Sequence, residues 1–251
     1  MAGGADQRGG VSVRAANALV LGTLLAAGLG AVQAAASALA VPRAVRDALD
    51  MATVLVLPSR CAGVVVERAT LVATARHCVA GADAAVSVRL EGGEEIAGRV
   101  AVIDDRTDQV VIRLREPAPV DPLPIARRSL IRGTVLYFQG NPERPRPQDV
   151  RLDDIGACGS LPDLPDAFFT SIRGIPGDSG SPVVDGGGEV VGLVHGGARC
   201  HIVTPAKRLL PLVRAVEEGA GTRAPRVESH AGVDPSASPK RFAARSDQGL
   251  Y

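Results

Sequence analysis

The stretch GDSGSPVVDGGGEVVGLVHGG, residues 177–197, carries most of what the chain reveals about itself. Two short apolar runs, Pro182-Val183-Val184 and Glu189 to His195, flank Asp185-Gly186-Gly187-Gly188, so they read as antiparallel strands joined by a tight turn. The preceding Gly177-Asp178-Ser179-Gly180 places a Ser between glycines, in a turn that exposes its hydroxyl. In such a turn the backbone N–H groups of Gly177 and Ser179 can converge on one point, where they would stabilise the oxyanion of an acyl-transfer intermediate.

Outward from this stretch the same pattern repeats. Candidate strands fall at 53–57, 62–66, 70–75, 85–90, 95–103, 109–114, 134–138, 150–155, 182–184, 189–195 and 201–203, separated by Gly, Pro and charged clusters. Val86, Val88 and Leu90 alternate with Ala85, Ser87 and Arg89 before the turn Glu91-Gly92-Gly93-Glu94. Many short strands with no intervening helical pattern predict an all-β sandwich or barrel. A helix is expected from Thr204 as N-cap with Pro205 at its first position, burying Leu209, Leu210, Val213 and Val216, and kinked or restarted at Pro211. The Pro-rich pieces 117–124 and 142–147 read as surface connections.

Composition narrows the function classes. With 28 Lys plus Arg against 27 Asp plus Glu, the net charge of +1 offers no footprint for nucleic acid. Aromatic residues are 2% of the chain and Trp is absent, which argues against base-stacking platforms. Residues 1–17 carry Arg8 and Arg14, and 18–32 are an almost unbroken apolar run ending before the small residues Ser37 to Ala40. Residues 1–40 therefore read as a secretory signal, or as an N-terminal membrane anchor if uncleaved. A secreted or periplasmic location follows, with membrane attachment only in the uncleaved case. Export favours disulfides, and four Cys allow three pairings. Their separations of 17, 80 and 42 residues match no zinc-site spacing, and neither metal nor organic cofactor is expected. After residue 217 the apolar periodicity stops, and 218–251 read as a disordered tail behind a domain at 41–217.

A Ser nucleophile needs a base and a group to orient that base. The catalytic imidazole must come from His77, His195, His201 or His230. His77 ends the strand-like TLVATARHC of 70–78, and Asp108 opens the alternating Gln109 to Leu114, placed to accept the second ring N–H. Asp104 and Asp105 compete with Asp108 and read as solvated turn residues.

Taken together, TARHC (74–78), TDQVVIRL (107–114) and GDSGSP (177–182) resemble the trypsin-like serine peptidases of the chymotrypsin fold, in their order His, Asp, Ser. The resemblance implies two six-stranded antiparallel β-barrels with a C-terminal helix. It also implies a serine endopeptidase with His77, Asp108 and Ser179 as triad, an oxyanion hole of Gly177 and Ser179, and protein or peptide as substrate. The intervals of 31 and 71 residues between these three are similar to the bacterial HtrA/Deg branch, as are GTVLYFQGNP (133–142) and HIVTPAKRLLPLV (201–213). Too few residues follow for that branch's PDZ domain. The family pairing implies Cys61 with Cys78, and Cys158 with Cys200 would join the loops on either side of Ser179, each Cys lying 21 residues from it; the closures are worth roughly 3 and 4 kcal/mol by loop entropy. Gly196, Gly197 and His195 would line the substrate backbone, with His195 where digestive enzymes have Ser; the competing reading of His195 is a structural histidine satisfied by main chain. Counting back from Ser179 puts Arg173 near the base of the specificity pocket. Residues 41–60 hold no basic residue followed by an Ile-Val-Gly-Gly-like start, so Asp178 is expected to pair with something other than a new N-terminus. The competing readings are a peptidase-like binding protein without turnover, and an esterase using the same triad.

Overall fold

The computed structural model describes residues 41–196 and 201–219. Strands β1 (Thr53–Leu57), β2 (Cys61–Val65), β3 (Leu71–Ala75), β4 (Ala85–Arg89), β5 (Glu95–Asp104) and β6 (Gln109–Leu114) close an antiparallel barrel in the order β1-β2-β3-β6-β5-β4. A second closed barrel has the order β10-β11-β12-β9-β8-β7. Its strands are β7 (Val135–Phe138), β8 (Gln148–Gly156), β9 (Ala167–Thr170), β10 (Pro182–Val184), β11 (Val190–Val194) and β12 (Ile202–Pro205).

Each barrel fills its own interior. Val54, Val56, Val72, Val88, Val100, Val110 and Ile112 pack inside the first, and Leu136, Phe138, Val150, Leu152, Val183 and Val203 inside the second. A third apolar cluster lies between them, where the outward faces of β2, β3, β6, β10 and β11 supply Val64, Leu71, Val111, Val184 and Leu193. This double burial explains why β3 and β11 are buried along their whole length, while β5 alternates buried Ile96, Gly98 and Val100 with exposed Glu95, Ala97 and Arg99 until a bulge between Val100 and Val102 turns Val102 to the seam.

Two helices cover the same seam. The first, α1 (Arg43–Ala52), went unread in the sequence because only Val45, Leu49 and Ala52 mark its buried face, among exposed Arg43, Arg46 and Asp47. The second, α2 (Leu209–Glu217), starts later than expected. Thr204 and Pro205 complete β12, and a single 3-10 turn (Ala206–Arg208) intervenes. Thr204 is buried and its hydroxyl donates to the Leu193 carbonyl at 3.3 Å, so its side chain serves the sheet and caps no helix. Pro211 falls within the first turn of α2, where its missing N–H would have had no intrahelical acceptor, so it neither kinks nor restarts the helix. Leu212, not Leu210, completes the buried stripe with Leu209, Val213 and Val216. Strand β9 was also unread, since AFFT is short and follows a Pro-rich loop.

The barrels are joined near the strand ends by Gln109, whose Nε2 donates to Thr204 Oγ1 (3.0 Å) and to the Pro205 carbonyl (3.1 Å). Among the described residues no helix is long and apolar enough to cross a membrane. The leader 1–40 and nearly all of the tail lie outside the described residues.

Candidate active site

The 3-10 turn Arg76–Cys78 at the end of β3 presents His77. Asp108 holds that turn from below. Its main-chain carbonyl accepts the Arg76 N–H (3.0 Å), and its Oδ1 accepts the His77 N–H (3.0 Å). Its Oδ2 meets His77 Nδ1 at 2.9 Å. To do this, Asp108 adopts φ +54°, a left-handed conformation that Asp tolerates better than most residues. The neighbouring acids stand elsewhere. Asp104 accepts the Arg106 N–H and the Thr107 hydroxyl, shaping the turn, and Asp105 pairs with Arg76 at the surface.

His195, at the end of β11, reaches the same carboxylate. Its Nδ1 lies 2.5 Å from Asp108 Oδ2, and its ring stands edge-on to His77 with centroids 5.5 Å apart. Burial acts to raise the Asp108 pKa, but the hydrogen bonds from His195 and His77 outweigh it and hold the carboxyl below its ordinary value. The hydrogen bond to Asp108 raises the pKa of His77, against burial and the nearby Arg76.

Ser179 comes from the second barrel. Its hydroxyl donates to the His195 carbonyl at 3.3 Å and, among the described residues, makes no hydrogen bond to His77. Gly180 has φ +81°, and a Cβ there would fall 2.2 Å from the Ala62 carbonyl oxygen, so only glycine lets the Ser turn sit against β2. The Ala62 N–H in turn donates to the carbonyls of Gly177 and Ser179. The N–H groups of Gly177 and Ser179 meet no acceptor among the described residues, while those of Asp178, Gly180 and Ser181 are all bonded internally.

Asp178 is almost fully buried, and its partner is Arg146. Nη2 of Arg146 lies 2.5 Å from Oδ2, which also accepts the Ile175 N–H (2.7 Å), and Oδ1 accepts the Asn141 N–H (3.0 Å). Asn141 Nδ2 further donates to the carbonyls of Arg60 and Gly177. Thus the segment 142–147, read as a plain surface connection, holds the Ser loop in place. The visible signal was a carboxylate beside the Ser that needed a partner, with two arginines, Arg144 and Arg146, in the ERPRP segment after β7.

Beside Ser179 opens a cavity of about 250 Å³. Ile172, Ile175, Val194, Ile202 and Val203 make its wall largely apolar, with Thr170, Asp178, Ser179 and His201 as polar exceptions, the Asp178 carboxylate being engaged by Arg146. Arg173 is not part of this wall. Its carbonyl accepts Arg146 Nη1 (2.9 Å) and its N–H faces Gln148, so the expected basic pocket floor is replaced by Gly174, Ile175 and Pro176. Gly196 lines the cavity with φ +60°, and Gly197 lies outside the described residues.

Cys61 and Cys78 form a disulfide that pins β2 to the His77 turn. They therefore offer no thiolate to a metal, although His77 stands beside them. Cys158 is also disulfide-bonded, and its expected partner Cys200 lies outside the described residues. His77, Asp108 and His195 bring three potential metal ligands together, but the ring nitrogens facing the carboxylate are already in hydrogen bonds to it.

Two closed six-stranded barrels with a Ser turn and a His–Asp pair facing each other across their junction define the chymotrypsin-like architecture. Residues 61–193, more than half of the chain, match the trypsin-like peptidase domain family, and the chain belongs to that family. It is similar in fold to the Rv3671c protease of M. tuberculosis. The active form has 23% identity and TM-score 0.56 over 70% of this chain and 84% of that one. An inactive form of Rv3671c protease gives 22% identity and TM-score 0.57 over 71% and 94%. Deg5 aligns with TM-score 0.58 at 17% identity, over 71% of this chain and 94% of its own. At these identities the likeness concerns the fold alone. No curated protein matches the chain.

Proposed function

We propose that this chain is an exported serine endopeptidase that cleaves peptide bonds through an acyl-enzyme. The observation that carries the reading is the Asp108 carboxylate, which grips both the main-chain N–H and the ring Nδ1 of His77 and so leaves Nε2 as the free basic nitrogen. Ser179 Oγ attacks the scissile carbonyl and passes its proton to His77 Nε2, and the N–H groups of Gly177 and Ser179 receive the oxyanion. His77 then protonates the leaving amine. Water attacks the ester as His77 takes its proton, and His77 returns that proton to Ser179 Oγ as the acid product departs. The contact between Ser179 and the His195 carbonyl gives way in this sequence, as catalytic hydrogen bonds often tighten only when substrate is bound. The apolar run 18–32 and the disulfides support export, which N-terminal sequencing of the processed protein checks.

Reaction with a fluorophosphonate probe tests the reading. Wild-type protein should be labelled covalently on Ser179, and Ser179→Ala should be folded, unlabelled and nearly inert toward peptides. Labelling elsewhere, or full turnover by the Ala variant, would overturn it.

The cavity wall supports an apolar side chain of Val to Leu size before the scissile bond. On a matched peptide panel, kcat/KM for Leu or Val at that position should exceed that for Lys or Glu by at least about 100-fold, since a buried unpaired charge is costly. A preference for Lys or Arg would contradict the apolar lining.

The pH profile follows from His77. The base must be neutral, and hydrogen bonding to Asp108 raises its pKa, so kcat/KM should rise with pH through a midpoint above the ~6.5 of an unperturbed imidazole. A midpoint well below that value would contradict the role of Asp108 as its partner.

A further inference from the structure

We infer that His195 is a positioning residue for this reaction: from the second barrel, its Nδ1–H fixes the Asp108 carboxylate and draws off part of its charge. The inference rests on the roles proposed above for His77 and Asp108. An ionised carboxylate only accepts hydrogen bonds, so the 2.5 Å contact places the proton on His195 Nδ1. Without that bond, every side-chain contact holding Asp108 would come from His77 itself, and the carboxylate could drift with the ring it is meant to orient. His195 supplies an independent anchor. Its own N–H is tied to the Ile202 carbonyl (2.9 Å), its carbonyl accepts Ser179 Oγ, and its side chain is only 12% exposed. One residue therefore spans the orienting acid, the sheet and the nucleophile. Its side chain is turned to Asp108 and takes no part in the cavity wall.

The second imidazole also affects charge. Among the described residues no Lys or Arg touches Asp108, and its negative charge is met by the two rings and the His77 main-chain N–H. The two rings stand 5.5 Å apart around that one carboxylate. The other charged groups nearby are already engaged. Arg76 pairs with Asp105, and Asp178 pairs with Arg146; His201 faces the cavity. Removing the His195 donor should leave the whole carboxylate charge acting on His77 and move the acid limb of activity upward.

The test compares His195→Phe, which keeps a ring but has no donor, with His195→Asn, whose Nδ2 stands where Nδ1 stood. The Phe variant should lose roughly tenfold in kcat with little change in KM, the rate equivalent of one lost bond to a charged group. Its acid limb should rise by about half to one pH unit. The Asn variant should recover most of the lost kcat. Equal losses in both variants, an unmoved acid limb, or a raised KM with kcat retained would overturn the inference. A readout independent of turnover uses the Ser179→Ala protein, whose proton NMR spectrum should show two low-field imidazole N–H signals, one of them lost with His195→Asn. A single such signal before that substitution overturns the inference even if the peptidase is active, whereas two signals in a protein without Ser179-dependent hydrolysis would retain the contact and overturn its place in a reaction.

Discussion

Asp108→Asn should reduce kcat by about 10⁴, the loss seen in the worked serine-protease example, where an amide holds the imidazole in the wrong tautomer. The substituted side chain presents one oxygen and one NH₂ group to three donors: the His77 main-chain N–H, His77 Nδ1 and His195 Nδ1. Whichever way the amide is turned, at least one N–H faces another donor. Asp105→Asn should cost far less, because the Asp105 side chain is 76% exposed and only its surface pair with Arg76 is weakened. Asp104→Asn can keep an oxygen on the Thr107 hydroxyl or the Arg106 N–H, so it should disturb the turn modestly. Steady-state kinetics on the three purified variants decide the matter. A severe loss in the Asp105 variant with normal turnover in the Asp108 variant would move the orienting acid.

Arg146→Met should destabilise the fold by about 3–5 kcal/mol, because it strands the Asp178 carboxylate in a buried site with only two main-chain donors left. The damage should be greatest at Ile175–Ser179, whose main chain hangs from that carboxylate, so activity should fall together with the denaturant midpoint. Arg144→Ala removes one exposed bond to the Pro176 carbonyl and should cost under about 1 kcal/mol. Urea titrations of both variants measure the contrast. A wild-type midpoint for Arg146→Met would mean that Asp178 is held by its main-chain contacts alone.

What was legible in the sequence depended on how local the signal is. The barrel strands were visible because β-branched runs are punctuated by glycine turns, and the pair His77–Asp108 because each residue ends or opens such a run. The end of β12 was misplaced because Thr204-Pro205 has the chemistry of a helix start, and only the Gln109 contact and the Leu193 carbonyl show that Thr204 is spent on the sheet. His195 was placed at the site, but its bond to Asp108 joins residues 87 apart and leaves no periodic trace. Arg146 was invisible for the same reason. A buried carboxylate announces that a cation is needed, and several arginines could have answered. The pocket wall was the least legible part, since it is assembled from β9, the loop after it, β11 and β12 rather than from one motif.

The side chain of Gln109 gives the site a mechanical property. It follows Asp108 directly in the chain and ends on Thr204 and Pro205, while His195 sits just past the strand that pairs with Thr204. The carboxylate and its second imidazole are thus surveyed from a common benchmark, and a slide of one barrel over the other by a bond length would be registered there first. Loss of hydrolysis should therefore precede loss of β-sheet signal on gentle heating, making activity a gauge of how the two barrels are aligned.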